Sequence, residues 1–227
     1  MNKTAILVDG GFYLRKAKKY FGEMSAKEAA AKLHNYCIEH IKSQNANPNH
    51  NKTSLYRIFY YDCPPLNKKI YHPFLGKQID YSKSELYQFM TNFHKELKHQ
   101  RKLALRLGAI YENQSNYFTL SSDALKKLCN KKISFSDLEQ NDFILNVTQK
   151  GVDMRIGIDI ASLAYKHLVS QIILISGDSD FVPAAKLARR EGIDFVLDPM
   201  WHKIRDDLYE HVDGITSQIK KPDNYSF

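Results

Sequence analysis

Cysteine is scarce in this 227-residue chain: Cys37, Cys63 and Cys129 lie far apart, with no CxxC pair among them. That spacing excludes a disulfide framework and a thiolate zinc site, and predicts reduced thiols in a cytoplasmic protein. Nine histidines are present without an i, i+4 pair, so a zinc hydrolase is not indicated. There is no GK[ST] for a P-loop nucleotide hydrolase and no GxGxxG for a dinucleotide enzyme. Apolar runs such as IILI at 172–175 fall far short of a bilayer span, so no membrane association is expected. The opening MNKTAILVDG has too short an apolar segment, and no small-residue cleavage site, for a secretory leader. Acid is also in short supply. The 25 acidic residues face 33 basic ones, and the net charge of +8 favours a polyanionic partner, nucleic acid first. A basic surface that only aids solubility is the plainer alternative.

What the chain does contain reads as α/β. KTAILVD (3–9) is an apolar strand broken by Gly10-Gly11, and it delivers Asp9 to its C-terminal end. A short basic helix closed by Gly22 follows. Ser25 with Glu28 forms a capping box for a helix from Ala26 to about Ser43. QNANPNHNK (44–52) is a polar loop, and SLYRIFYYD (54–62) reads as the second strand. The spacing of Leu86, Phe89, Met90, Phe93 and Leu97 predicts a long helix over Ser82–Arg106. Its latter half is rich in Lys, Arg and His, either a solvated face or a nucleic-acid track that releases counterions from a phosphate backbone. LRLGAIYE (105–112) suggests a further strand. Residues 113–149 form an insertion with two short elements, a candidate lid. Residues 1–217 are expected to form one domain, and 218–227 a flexible tail.

The stretch Lys150–Asp198 alternates helix, strand, helix and strand. It puts Asp153 in a first helical turn and Asp178 and Asp180 just past an apolar strand. In a parallel sheet, helix N-termini and strand C-termini share one edge, where ligands bind. Asp9 joins them there. Four carboxylates on one edge repel unless a cation or proton intervenes. All-oxygen donors suit Mg2+ or Mn2+, which keep several waters and also bind phosphate. Each acid has an ordinary alternative: Asp9 and Asp178 as helix caps, Asp153 as a first-turn acid favoured by the helix dipole. Asp159 lies six residues beyond Asp153, about 9 Å along the helix, and suits a supporting or structural role. Phe12, Tyr13 and Trp201 could stack on unpaired bases, although core packing is the commoner fate of such residues.

The blocks VDGG (8–11), KGVD…D (150–159) and SGDSDF (176–181) resemble the three signature blocks of the NYN domain family, relatives of PIN-domain nucleases that include LabA-like bacterial proteins. The resemblance runs from residue 3 to about 217, apart from the insertion. It implies a Rossmann-like three-layer α/β/α sandwich with a mainly parallel sheet, and a metal-dependent ribonuclease acting on RNA. Asp9, Asp153 and Asp178, with Asp180 beside them, match the family's catalytic and ligand positions, while Lys150 and Ser176 match positions near the substrate. Many NYN sequences carry asparagine three residues after the first Asp, where this chain has Phe12. Related nucleases often pair, so a homodimer is one option. A toprim-type domain would need a glutamate where Asp9 stands, and a haloacid-dehalogenase phosphatase an Asp where Gly11 stands. The rival from another class is a non-cleaving RNA-binding or regulatory module of the same fold.

Overall fold

The computed structural model describes residues 2–48, 51–111 and 117–222. The chain begins with β1 (Asn2–Asp9), α1 (Gly10–Phe21), α2 (Ala26–Ala46) and β2 (Thr53–Asp62). A hairpin of β3 (Lys69–His72) and β4 (Lys77–Asp80) precedes α3 (Glu85–Lys98) and β5 (Leu103–Leu107). Then come β6 (Ala109–Ile110), β7 (Phe118–Leu120), α4 (Ser122–Cys129), β8 (Phe143–Leu145) and β9 (Gln149–Lys150). The chain closes with α5 (Val152–Tyr165), β10 (Gln171–Ile175), α6 (Val182–Arg190), β11 (Asp194–Asp198), α7 (Asp206–Tyr209) and β12 (Gly214–Ile215).

Six strands form one parallel sheet in the order β12-β11-β10-β1-β2-β5. Counted along the chain within that sheet, the order is 3-2-1-4-5-6, the doubly wound Rossmann arrangement. Strands covered on both faces should be continuous apolar runs, and AILV of β1 and the whole of β10 are buried. One face packs Ala5, Leu7, Phe59 and Leu174 against Ile156, Ile160 and Leu163 of α5 and Ala185 and Ala188 of α6. The other packs Ile6, Val8, Ile58 and Ile173 against α1, α2 and α3 through Tyr13, Leu33, Cys37 and Phe93. Across the N-terminal ends of the central strands, a polar rung runs from Thr53 through Thr4 and Gln171 to Asp194 at 2.8, 2.9 and 2.6 Å.

The capping box forms as read: the Ser25 and Glu28 side chains bond each other's amides, at 3.3 and 2.9 Å. The helix expected over Ser82–Arg106 is shorter. It is α3, entered through Ser84, whose hydroxyl accepts from the Tyr87 amide at 3.1 Å, and it ends at Lys98. The reason is tertiary: the chain must reverse before 103 so that β5 can lie beside β2. Lys102 adopts φ 58° at that reversal, and its carbonyl accepts from the Ile58 amide at 2.8 Å. The basic run at 95–102 therefore lies at the N-terminal edge of the sheet, opposite the acids. Arg106 pairs with Asp159, and the Lys102 ammonium bonds the Leu55 carbonyl.

The described part of the expected insertion, 117–149, forms an antiparallel pair β7–β8 apart from the main sheet, with α4 and short 3-10 turns, and β9 at its return pairs with β6. Residues 112–116 and the last part of the expected tail, 223–227, lie outside the described residues. Gln218 and Ile219 are anchored: Gln218 bonds Ser43, and the Ile219 carbonyl accepts from the Trp201 indole at 2.8 Å.

Candidate active site at the switch point

In the doubly wound order, crossovers run in opposite directions from β1 and from β10, and their C-terminal ends leave the crevice where ligands bind. Asp9 ends β1, and Ser176 directly follows β10, paired to it through Val8↔Ile175. The Ser176 hydroxyl donates to Asp9 Oδ2 at 3.2 Å and accepts the Asp178 amide at 3.3 Å. Asp153 enters from α5, whose start is set by Gly151 at φ 79°, a left-handed conformation natural to glycine.

The helix-capping alternatives are realised as well. Asp9 Oδ1 accepts from the Phe12 amide at 3.0 Å at the start of α1. Asp178 Oδ1 accepts from the Asp180 amide at 3.0 Å at the turn Ser179–Phe181. Capping occupies one oxygen of each carboxylate, so it fixes orientation without consuming the group.

The acids feel one another. Burial pushes the Asp9 pKa above the usual carboxylate range; bonds from Phe12 and Ser176 and the nearby Arg15 oppose that rise, and Asp178 adds to it. Asp153 lies on an exposed side of α5, yet it too is raised, first by partial desolvation and then by repulsion from Asp9, Asp178 and Asp180. All four carboxylates thus lie within electrostatic reach at one edge. Among the described residues, no three His, Cys, Asp or Glu side chains close into a tight metal-ligand group. Mg2+ and Mn2+ sites commonly use one or two carboxylates, waters and substrate phosphate instead of a closed protein cage, so this open, all-oxygen set fits such an ion.

The surroundings are basic and closely packed. Gly177 cannot carry a side chain: a Cβ there would stand 2.6 Å from the His202 ring and 2.8 Å from Phe12. His202 meets Phe12 edge-on, with ring centroids 5.9 Å apart. Its pKa is lowered by partial burial and by Lys16 and Arg15, which favours neutral imidazole. Phe12, at the family's asparagine position, is therefore a wall of the crevice. Tyr13 and Phe12 are buried, and Trp201 is half-buried with its indole N–H bonded, so none of the three presents a free stacking face. Lys150 is exposed at the foot of α5. Asp159 stands apart, bonded by Tyr61 at 2.8 Å and by Arg106 at 3.0 and 3.1 Å.

Two further acids at the same edge escaped the sequence reading. Asp62, which ends β2, accepts from the Cys63 amide at 2.7 Å and pairs with His94 at 3.1 Å. Asp198, fully buried at the end of β11, bonds Tyr36 at 2.5 Å, His40 at 2.8 Å, Ser217 at 2.5 Å and the Met200 amide at 2.8 Å. The signal was available: both strands, like β1, end in Asp. What separates them from Asp9 is a histidine on the covering helix, which satisfies each one.

Among solved structures, a protein of unknown function from Vibrio parahaemolyticus RIMD 2210633 aligns with a TM-score of 0.49 at 13% identity, covering 96% of this chain and 94% of that one. A comparison with curated proteins finds no match. The NYN domain family model matches residues 69–215, a span that holds Lys150, Asp153, Ser176, Asp178 and Asp180 and leaves Asp9 outside. With more than half its length matched and the signature blocks in place, the chain belongs to the NYN domain family, a PIN-like nuclease group.

Proposed function

We propose that this protein is a Mg2+- or Mn2+-dependent ribonuclease that hydrolyses RNA phosphodiester bonds at the switch-point crevice. The observation that carries the reading is that Asp153 lies within electrostatic reach of Asp9, Asp178 and Asp180, while the Ser176 hydroxyl ties Asp9 to the loop bearing Asp178. Asp9, Asp153 and Asp178 would hold the cation, with Asp180 beside them. Such a cation supplies neutralisation of phosphoryl charge and a more acidic water. Ser176 orients Asp9 and the Asp178 backbone. Lys150 on one side, and Arg15 and Lys16 on the other, draw phosphate towards an otherwise repelling acidic floor.

The reading takes residues 1–217 as one domain, with 113–149 inserted and RNA as the partner; the start of the expected tail at 218–227 is fastened to that domain, Gln218 by Ser43 and Ile219 by Trp201. The two apolar clusters on opposite sheet faces support a three-layer α/β/α sandwich. Buried, unpaired Cys37 and Cys63 suit a cytoplasmic location, and among the described residues no helix is long and apolar enough to cross a membrane. Sedimentation decides between monomer and homodimer.

The test is a nuclease assay on RNA and DNA with Mg2+, Mn2+ or EDTA. Wild type should cut RNA only with a cation, and Asp178→Ala should abolish cutting while RNA binding persists. Binding without cleavage by wild type under every cation would establish the non-cleaving module instead.

A further inference from the structure

Helix α5 is apolar on two sides. Ile156, Ile160 and Leu163 are buried on the sheet side, as the fold requires. The other side carries Met154, Ile158 and Tyr165, which are 71%, 59% and 56% exposed, with half-buried Gly157 and Ala161 among them. At about 3.6 residues per turn, Met154, Ile158, Ala161 and Tyr165 fall on one stripe. A helix apolar all round belongs in an interior, and a contiguous exposed apolar patch on a folded chain marks an interaction surface.

The charged residues of α5 lie off this stripe. Asp153 feels the crevice acids, and Asp159 is held by Tyr61 and Arg106. Exposed Arg155 and Lys166 border the stripe, and Arg190 of α6 reaches the Tyr165 hydroxyl at 3.5 Å. Gly157 has no packing reason within the chain. A Cβ there would meet nothing within 4 Å, although glycine weakens a helix interior relative to alanine. What its bare backbone provides is room for a second helix to approach.

We infer that α5 packs antiparallel against α5 of a second copy of this chain, about a two-fold axis. A two-fold interface must be self-complementary: where one residue meets another, the second meets the first. An axis between Asp159 and Ile160 sets Met154 opposite Tyr165 and Ile158 opposite Ala161, each pair occurring twice. Large thus meets small at Ile158, and a thioether meets an aromatic ring at Met154. Helices in such contact lie about 8–10 Å apart. From Met154 to Tyr165 the seam spans about 17 Å, and two copies bury on the order of 1,000 Å2, the lower end for a specific interface. Asp153 precedes Met154, so the two crevices stand at opposite ends of the seam. The bordering cations repel across the axis, and salt that screens them strengthens the pairing. None of this depends on the ribonuclease reading.

The test is sedimentation equilibrium of the full chain across micromolar concentrations, at low and high NaCl. Wild type should dimerise with a micromolar Kd that tightens as salt rises. Ile158 is exposed in the single chain, so Ile158→Glu should keep the melting temperature of dilute protein and weaken dimerisation roughly 100-fold or more. Gly157→Leu should do the same by blocking the approach. Cross-linking checks the register. With Cys129→Ser removing the exposed thiol, an oxidised mixture of Met154→Cys and Tyr165→Cys proteins should form the mixed disulfide, and neither protein should cross-link to itself. A monomer at every concentration, or a dimer that both Ile158→Glu and Gly157→Leu leave intact, would overturn the inference. So would association that weakens with salt, the behaviour of a charge-paired seam, or self-linking by either cysteine variant. A wild-type dimer that never cleaves RNA would sink the ribonuclease reading and keep this one. A monomer that cleaves would do the reverse.

Discussion

The Ser176 hydroxyl donates to Asp9 Oδ2 at 3.2 Å, across the seam where β1 and β10 lie side by side. The Ser176 hydroxyl oxygen also accepts from the Asp178 amide at 3.3 Å. One small side chain therefore positions a carboxylate on one strand and the loop bearing another. Ser176→Ala should reduce RNA cleavage about 10- to 100-fold, the usual cost of losing a partner that orients a ligand. It should cost about 0.5–1.5 kcal/mol of stability. Parallel kcat measurements and denaturant melts separate the two; unchanged kcat would show that Asp9 needs no such partner.

Divalent cations should stabilise the protein by mass action. At a hundredfold excess over Kd the gain is about 2.7 kcal/mol, or roughly 5–10 °C in Tm for a chain of this size. Thermal melts with Mg2+ or Mn2+ should show that shift in wild type and lose it in Asp9→Asn and Asp178→Ala. Equal shifts in all three proteins would place the binding elsewhere.

The pH response of the cation-free protein follows from the raised pKa values of Asp9 and Asp153. A group raised on folding contributes stability that is fully present below its ordinary value, and loses it as pH rises through the folded value. At neutral pH both groups are therefore a burden on the fold. Asp9→Asn removes that burden and keeps an oxygen for the Phe12 amide. The variant should melt above wild type at pH 7.5, and the difference should shrink as pH falls towards 4. The difference is the quantity to follow, and it includes relief of Asp153, which Asp9 helps to raise. A gap that stays constant with pH would refute the assignment.

Gly10 is a packing requirement. A Cβ there would stand 2.5 Å from the Tyr61 carbonyl oxygen and 2.6 Å from the Tyr60 ring. Gly10→Ala should destabilise by about 1–3 kcal/mol, the usual range for overpacking. Trimming Tyr60 to Leu should not rescue it, because the nearest obstacle is main chain. Rescue by Tyr60→Leu would show that the ring, and not the β2 backbone, sets the limit.

Much of this arrangement was legible in the sequence because local and global signals agree there. AILV and IILI are buried on both faces, and Ser25 with Glu28 announces a helix start. Gly10-Gly11 and Gly151 mark sharp turns beside Asp9 and Asp153. Legibility failed where tertiary pairing overrides local pattern. The strand read at 105–112 begins earlier, as β5 (Leu103–Leu107), because β2 draws in residues that the helical periodicity had claimed. The short hairpins β3–β4 and β7–β8 lack apolar runs strong enough to stand out. Asp62 and Asp198 share the strand-end position of Asp9, and only their distant partners His94 and His40 set them apart.

Asp198 is bonded by Tyr36 and His40 of α2, by the Met200 amide and by Ser217. Ser217 and α2 thereby act as a clasp on Asp198, fastening an early part of the chain to a late one. A version clipped after Ile215 would retain every acid facing the crevice, yet it would deprive the Asp198 carboxyl group of its Ser217 donor. Synthesis must therefore pass Ser217 before this contact can close, and a truncation or fusion junction needs to lie beyond Ile219, whose carbonyl holds the Trp201 indole.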